Sequence, residues 1–136
     1  MEVKNAVYPG AEQATDFFGA PEDGPFVMVN LLRFKPKADY ADGSEPDLPG
    51  REAYMRYGVQ VSKLVVNLGG RMMFSGEVTG LMIGEVEDLW DAVALVEYPS
   101  LKAFRDMATS PAMHAIEHHR SAGLAGQLNI RTKVRG

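Results

Sequence analysis

The stretch Trp90-Asp91-Ala92-Val93-Ala94-Leu95-Val96-Glu97-Tyr98-Pro99-Ser100, followed by Leu101, Phe104 and Met107, limits the architecture more than any other segment. It reads as a strand that stops at Pro99 and a helix that starts behind Ser100, whose hydroxyl can accept a bond from an otherwise unpaired amide. Such a unit is too short to bury its own apolar side chains. It needs further strands and helices, which points to an α+β sheet domain.

At 136 residues the chain is predicted to hold one main domain, 25–136, preceded by an arm, 1–24, with a short helix. Its net charge of −4 argues against a nucleic-acid partner, which would call for a basic face. The absence of cysteine excludes disulfides, thiolate metal sites and a cysteine nucleophile. Met1-Glu2-Val3-Lys4-Asn5 lacks the basic-then-apolar layout of a signal peptide. No apolar run reaches the roughly 20 residues of a membrane helix. The expected location is the bacterial cytoplasm.

Ala11 to Phe18 is predicted as the arm's helix, ended by the turn cluster Gly19, Pro21, Asp23, Gly24 and Pro25. Phe26 to Phe34 is apolar on both faces, as a central strand would be. Lys35 to Gly50 is a long proline-bearing surface loop, a candidate lid. Tyr54, Tyr57, Val61, Leu64, Val65 and Leu68 recur at helical spacing, and Gly69-Gly70 supplies the left-handed stop. Arg71 to Ile83 is predicted as one strand bent at Gly76 or Gly80, pairing with Trp90 to Tyr98. A helix over Leu101–Ala108, a second from Ser110-Pro111 to about Arg120, and a last strand through Leu128, Ile130 and Thr132 complete the chain.

The order β-α-β-β-α-β predicts a ferredoxin-like, four-stranded antiparallel sheet with helices on one face. Large apolar residues fall on both strand parities, so the uncovered face needs a cover. A second copy stacked sheet to sheet, a homodimer, is expected to provide it.

Met28-Val29-Asn30-Leu31-Leu32-Arg33-Phe34, Tyr54-x-x-Tyr57-Gly58, Gly69-Gly70-Arg71, Trp90-Asp91 with Glu97-Tyr98-Pro99-Ser100, and Ser110-Pro111 leading to His119-Arg120-x-x-Gly123-Leu124 together resemble the DUF1330 family. The likeness covers roughly residues 5 to 130, and their order and spacing carry it rather than any single motif. It implies a dimeric α/β-barrel domain. The wider superfamily includes cofactor-free monooxygenases, isomerases, haem-dependent peroxidases and plain ligand-binding modules. DUF1330 has no assigned reaction, so no catalytic residue is carried over. Where its members often show Ser-Pro-Glu-Tyr, this chain has Ser110-Pro111-Ala112-Met113.

Asn30 is polar in mid-strand, and two readings stand: a hydrogen bond to a ligand, or an internal bond. Arg33, at the strand's end, could clamp a carboxylate or close a salt bridge at the sheet edge. Tyr57 is a core residue of the helix stripe and a candidate proton donor. Arg71 with Glu77 could form a polar patch or an ion pair across a dimer. Trp90 is read as a core residue sharing a face with Tyr98, or as a stacking surface for a ligand. Asp91 and Glu97 are about 20 Å apart on an extended strand, too far for a paired acid and base. His114 and His118 share a helical face without a third ligand, so neither metal nor cofactor is expected. His119, on another side, is a candidate acid–base group.

The combined expectation is a homodimer binding a small anionic or oxygenated organic molecule between sheet and helices. As a cofactor-independent enzyme of acid–base or monooxygenase type, it would use Asn30, Arg33, Tyr57, Arg71 and Trp90 to hold substrate, and His119 to move protons. The alternative is a non-catalytic ligand-binding or stress-associated module. Convergence of Asn30, Arg33, Tyr57 and His119 on one concavity separates the two.

Overall fold

The computed structural model describes residues 4–135, so the first three residues of the predicted arm lie outside it. Eight elements follow one another: α1 (Ala11–Phe18), β1 (Phe26–Phe34), α2 (Gly50–Asn67), β2 (Arg71–Glu77), β3 (Ala92–Tyr98), α3 (Leu101–Ala108), α4 (Pro111–Gly123) and β4 (Leu124–Thr132). The strands form one antiparallel sheet in the order β2-β3-β1-β4. That is the predicted ferredoxin-like α+β arrangement.

Local chemistry sets most of the boundaries. Ser100 accepts from the Ala103 amide at 3.0 Å and Ser110 from the Met113 amide at 3.1 Å, with Pro111 in the first turn of α4. Gly69 ends α2 with φ of 92°, a conformation that costs glycine nothing. Gly50 and Gly123 let the start of α2 and the end of α4 touch through backbone. A Cβ on Gly50 would stand 2.9 Å from the Gly123 carbonyl, and one on Gly123 2.4 Å from the Gly50 carbonyl. This crossing brings Tyr54 and Tyr57 of α2 beside Arg120 of α4.

Two expectations are corrected. The predicted strand over Arg71–Ile83 ends at Glu77, and the strand predicted from Trp90 begins at Ala92. The Val78 amide bonds the Asp91 carbonyl at 2.9 Å, and the Asp91 amide bonds the Leu32 carbonyl at 2.8 Å. The Asp91 carboxylate meanwhile takes the Phe34 amide at 2.8 Å. Beyond the Val78–Asp91 bond the pairing stops, and residues 79–83 join a long β2–β3 loop.

The register divides the sheet into two faces. Phe26, Met28, Asn30 and Leu32 stand opposite Tyr98, Val96, Ala94 and Ala92, all toward the helices. There Phe26, Met28, Val96 and Tyr98 pack with Val61, Val65, Leu101, Met107 and Met113. On the other face Val29, Leu31, Val93, Leu95 and Leu128 are only half-buried, and Phe74 and Ile130 are exposed. In β4 it is the polar set, Gln127 and Arg131, that faces the helices, while Leu128 and Ile130 face away.

The arm is fastened to the domain. Phe17 and Phe18 lie 5.6 and 5.9 Å from the Phe104 ring, and the Glu22 carboxylate accepts the Leu101 and Lys102 amides at 3.0 Å each. These amides at the start of α3 hold the Glu22 carboxyl below its usual range.

Candidate functional site

A polar chain crosses the interior between the sheet and helices α2 and α4. Asn30 donates through Nδ2 to the Ala94 carbonyl at 3.2 Å and to the Met28 carbonyl at 3.4 Å. Its Oδ1 accepts from Gln127 Nε2 at 2.8 Å. Gln127 Oε1 in turn accepts from Arg120 Nη2 at 2.7 Å, and the same nitrogen donates to the Val7 carbonyl. Asn30 thus has protein partners for both ends of its amide, which is the internal-bond reading of that residue.

Next to this chain lie three phenols. The Tyr54 and Tyr57 rings are 5.5 Å apart, and Tyr98 stands on the adjacent sheet face. Burial pushes all three hydroxyls well above the ordinary tyrosine range. Tyr57 reinforces the effect on Tyr54, and both do so on Tyr98. The positive charge of Arg120 opposes it at Tyr54 and Tyr57. The phenols therefore stay protonated at neutral pH and act as hydrogen-bond donors. No described residue bonds their hydroxyls. Since no buried polar side-chain atom among the described residues lacks a partner, these oxygens keep an opening to solvent.

The other predicted residues lie elsewhere. Arg33 contacts Asp88 at 3.2 Å and the Leu89 carbonyl at 3.4 Å, away from these residues. Arg71 pairs with Glu97 at 3.1 Å, and Glu77 with Arg51 at 2.8 Å, so the predicted Arg71–Glu77 patch does not form. Trp90 lies outside the strand and donates its indole N–H to Asn5 at 3.2 Å. His119 is on the outer side of α4, where its Nδ1 meets the Tyr40 hydroxyl at 2.7 Å.

Tyr40 belongs to the 35–49 loop, which is packed rather than free. Ala38 and Tyr40 are buried with Ala53 and Ala122, and the Asp39 amide bonds the Ala122 carbonyl at 2.9 Å. Arg56 donates to Tyr40 at 3.3 Å and grips Glu45 with both terminal nitrogens at 2.6 and 2.8 Å. Because Arg56 donates to Tyr40, the Tyr40 proton points to a neutral His119. Burial, with the charges of His118 and Arg56, holds His119 below the ordinary histidine range, Glu45 opposing. The structure brings Asn30 and Tyr57 to the inner face and leaves Arg33 and His119 apart from them.

Sequence reasoning did not single out Gln127 and Arg120. Gln127 is a buried polar residue, and its place in the alternation Gln127, Asn129, Arg131 was the available signal. Met113, where the resembling family often has tyrosine, is buried in the core. Among the described residues no three histidine, aspartate or glutamate side chains are grouped to hold a metal, and no helix is long and apolar enough to cross a membrane.

No family model and no curated protein matches the chain. The crystal structure of the RPA0582 protein of unknown function from Rhodopseudomonas palustris is similar at 32% identity and a TM-score of 0.87, covering 98% of this chain and 99% of that one. The structure of methylated RPA0582 protein is similar at 33% identity and a TM-score of 0.89, covering 98% of both chains. A dabb family protein with a ferredoxin-like fold from Mesorhizobium loti shares the fold at 14% identity and a TM-score of 0.50, over 84% of this chain and 100% of that chain. On identity and coverage together, the chain belongs to the family of the RPA0582 protein of Rhodopseudomonas palustris.

Proposed function

We propose that the protein binds a small oxygen-bearing organic molecule between the sheet and helices α2 and α4, and that it does so as a homodimer with its sheets stacked face to face. One observation carries the reading of a binding chamber there: the phenols of Tyr54 and Tyr57 lie beside Arg120, with Tyr98 next to them, and no described residue bonds the three hydroxyls. Donors gathered around a positive charge suit a carbonyl or carboxylate oxygen. The DUF1330 likeness, with the dimeric α/β barrel it implies, agrees with this reading. A non-catalytic ligand-binding module is favoured over an acid–base enzyme, because His119 is engaged with Tyr40 on the outer side of α4. If chemistry follows binding, Tyr57 is the proton donor.

The five tyrosines of the chain, Tyr8, Tyr40, Tyr54, Tyr57 and Tyr98, provide an internal control. Protein carrying 13C-labelled tyrosine is titrated with small acids, phenols and amides and followed by NMR. Ring signals of Tyr54, Tyr57 and Tyr98 should shift together, and Tyr57→Phe should weaken the effect. Shifts confined to Tyr8 and Tyr40, or none at all, would count against the chamber.

A further inference from the structure

Arg120 is half-buried, yet among the described residues no carboxylate lies within ion-pair distance of it. Its Nη2 is served by two neutral acceptors, the Val7 carbonyl and the Gln127 amide oxygen. A partly desolvated guanidinium is better matched by a carboxylate, which offers two charged oxygens to its planar fork. No described residue supplies that carboxylate. The segment Asn5–Tyr8 instead lies over the place where one would sit.

Apart from the Arg120 bond to Val7 and the packing of the Val7 side chain, few bonds hold this strap. The Ala6 amide reaches the Gln127 carbonyl at 3.4 Å, and Asn5 accepts from the Trp90 indole at 3.2 Å. Asn5 and Ala6 are exposed, and Tyr8 is 57% exposed beneath the Arg120 guanidinium. Val7 alone points inward, against Leu32, Ala92 and Leu124, alongside Phe34 and Tyr54. Behind the strap, Pro9-Gly10 leads to α1, which the Phe17, Phe18 and Phe104 rings anchor independently. A segment with few buried contacts beside an anchored helix opens at low free-energy cost.

We propose that Val7 is an internal stand-in for the ligand: its carbonyl on Arg120 and its side chain in the Leu32–Ala92–Leu124 cluster occupy the place of a small hydrophobic monocarboxylate, which binds by displacing the strap. This rests on the chamber reading above and adds the ligand's class and its route in. The carboxylate takes the fork of Arg120, and the apolar body takes the space Val7 leaves, against Phe34 and Tyr54. The phenol of Tyr54 or Tyr57 donates to the remaining carboxylate lone pairs. A closed strap scales the apparent affinity down to the intrinsic affinity multiplied by the fraction of molecules in which it is open.

Trp90, the chain's one tryptophan, reports on the strap through Asn5. Full-length protein is titrated with phenylacetate, following Trp90 emission and, in parallel, ligand NMR signals. The expected result is saturable binding with a change in Trp90 emission as Asn5 leaves the indole. Val7→Ala, which weakens the stand-in, should bind phenylacetate about 5-fold tighter, in line with a smaller closed fraction. The neutral isostere phenylacetamide should bind at least roughly 10-fold more weakly than the acid, through loss of the charge-assisted pair. This comparison needs no mutation and so does not depend on a variant folding. Equal affinity of the wild type and Val7→Ala, or binding without any emission change, overturns the stand-in while leaving the chamber reading intact if Tyr57→Phe still weakens binding. Absence of phenylacetate binding in both proteins by NMR overturns the inference. The chamber reading then falls only if the tyrosine titration is also silent.

Discussion

Tyr57 packs its ring against the core cluster but leaves its hydroxyl without a described partner, so removing that one oxygen separates stability from binding. Tyr57→Phe should change unfolding free energy by less than about 1 kcal/mol, since no protein hydrogen bond is lost. It should weaken phenylacetate binding by roughly 1–3 kcal/mol, the usual effect of losing a donor to a charged acceptor. Chemical denaturation and NMR titration of one sample measure both, and a large stability loss with unchanged binding would make the hydroxyl structural. His119 predicts a pH effect of definite sign. Its proton affinity is lower in the folded chain than in the unfolded one, so the unfolded state binds more protons as pH falls. Stability is then complete above the unfolded histidine value, roughly 6.5, and declines below it until the lower folded value is passed. The melting temperature of the wild type should fall over that window, and His119→Gln should flatten the slope. An unchanged slope would show that the Tyr40–His119 contact does not sense protonation. At this scale Asn30 was legible, because an amide between apolar strand neighbours needs partners. Arg120 was not, because what makes it unusual is that no described carboxylate reaches it and that one of its two acceptors, the Val7 carbonyl, comes from the far end of the chain.

Among the elements, caps and stops were readable because each is local chemistry: Ser100, Ser110-Pro111 and Gly69 do what their residue types do at helix ends. The end of β2 was not, since Arg71–Ile83 is strand-compatible and only the commitment of Asp91 to Phe34 decides where pairing stops. The orientation of β4 was equally hidden. Its alternation shows that the two faces differ, but which one meets the helices depends on pairing with β1. The attachment of α1 gives a direct test. Phe104 lies within 4.7–6.1 Å of the rings of Phe17, Phe18, Phe26 and Tyr98, tying the arm to the sheet. Phe104→Ala should cost about 3 kcal/mol, the lower end for a large aromatic because the residue is only partly buried. It should also speed amide exchange across Ala11–Phe18. Intact protection there would mean that the Glu22 carboxylate on the α3 amides suffices to hold the arm.

For the whole molecule, the face of the sheet turned away from the helices is an apolar surface that calls for a cover. Val29, Leu31, Val93, Leu95 and Leu128 form its centre, with Phe74 and Ile130 at the margins and Leu81, Met82 and Ile83 exposed in the neighbouring loop. A patch of this kind is a normal signature of association. The sequence pointed to it through strands apolar on both parities. Light scattering should give about twice 14.9 kDa. Leu95→Glu, which places a charge in the middle of that face, should return the mass to a single chain without disturbing the core on the other side. A wild-type monomer would remove the stacked-sheet dimer from the account. The chamber is tested most directly by a crystal structure of the full chain grown with phenylacetate. The predicted result is the carboxylate on Arg120 within reach of Tyr54 or Tyr57, with Val7 displaced; a contradictory result is Val7 still on Arg120 and the acid absent or bound outside the space between sheet and helices.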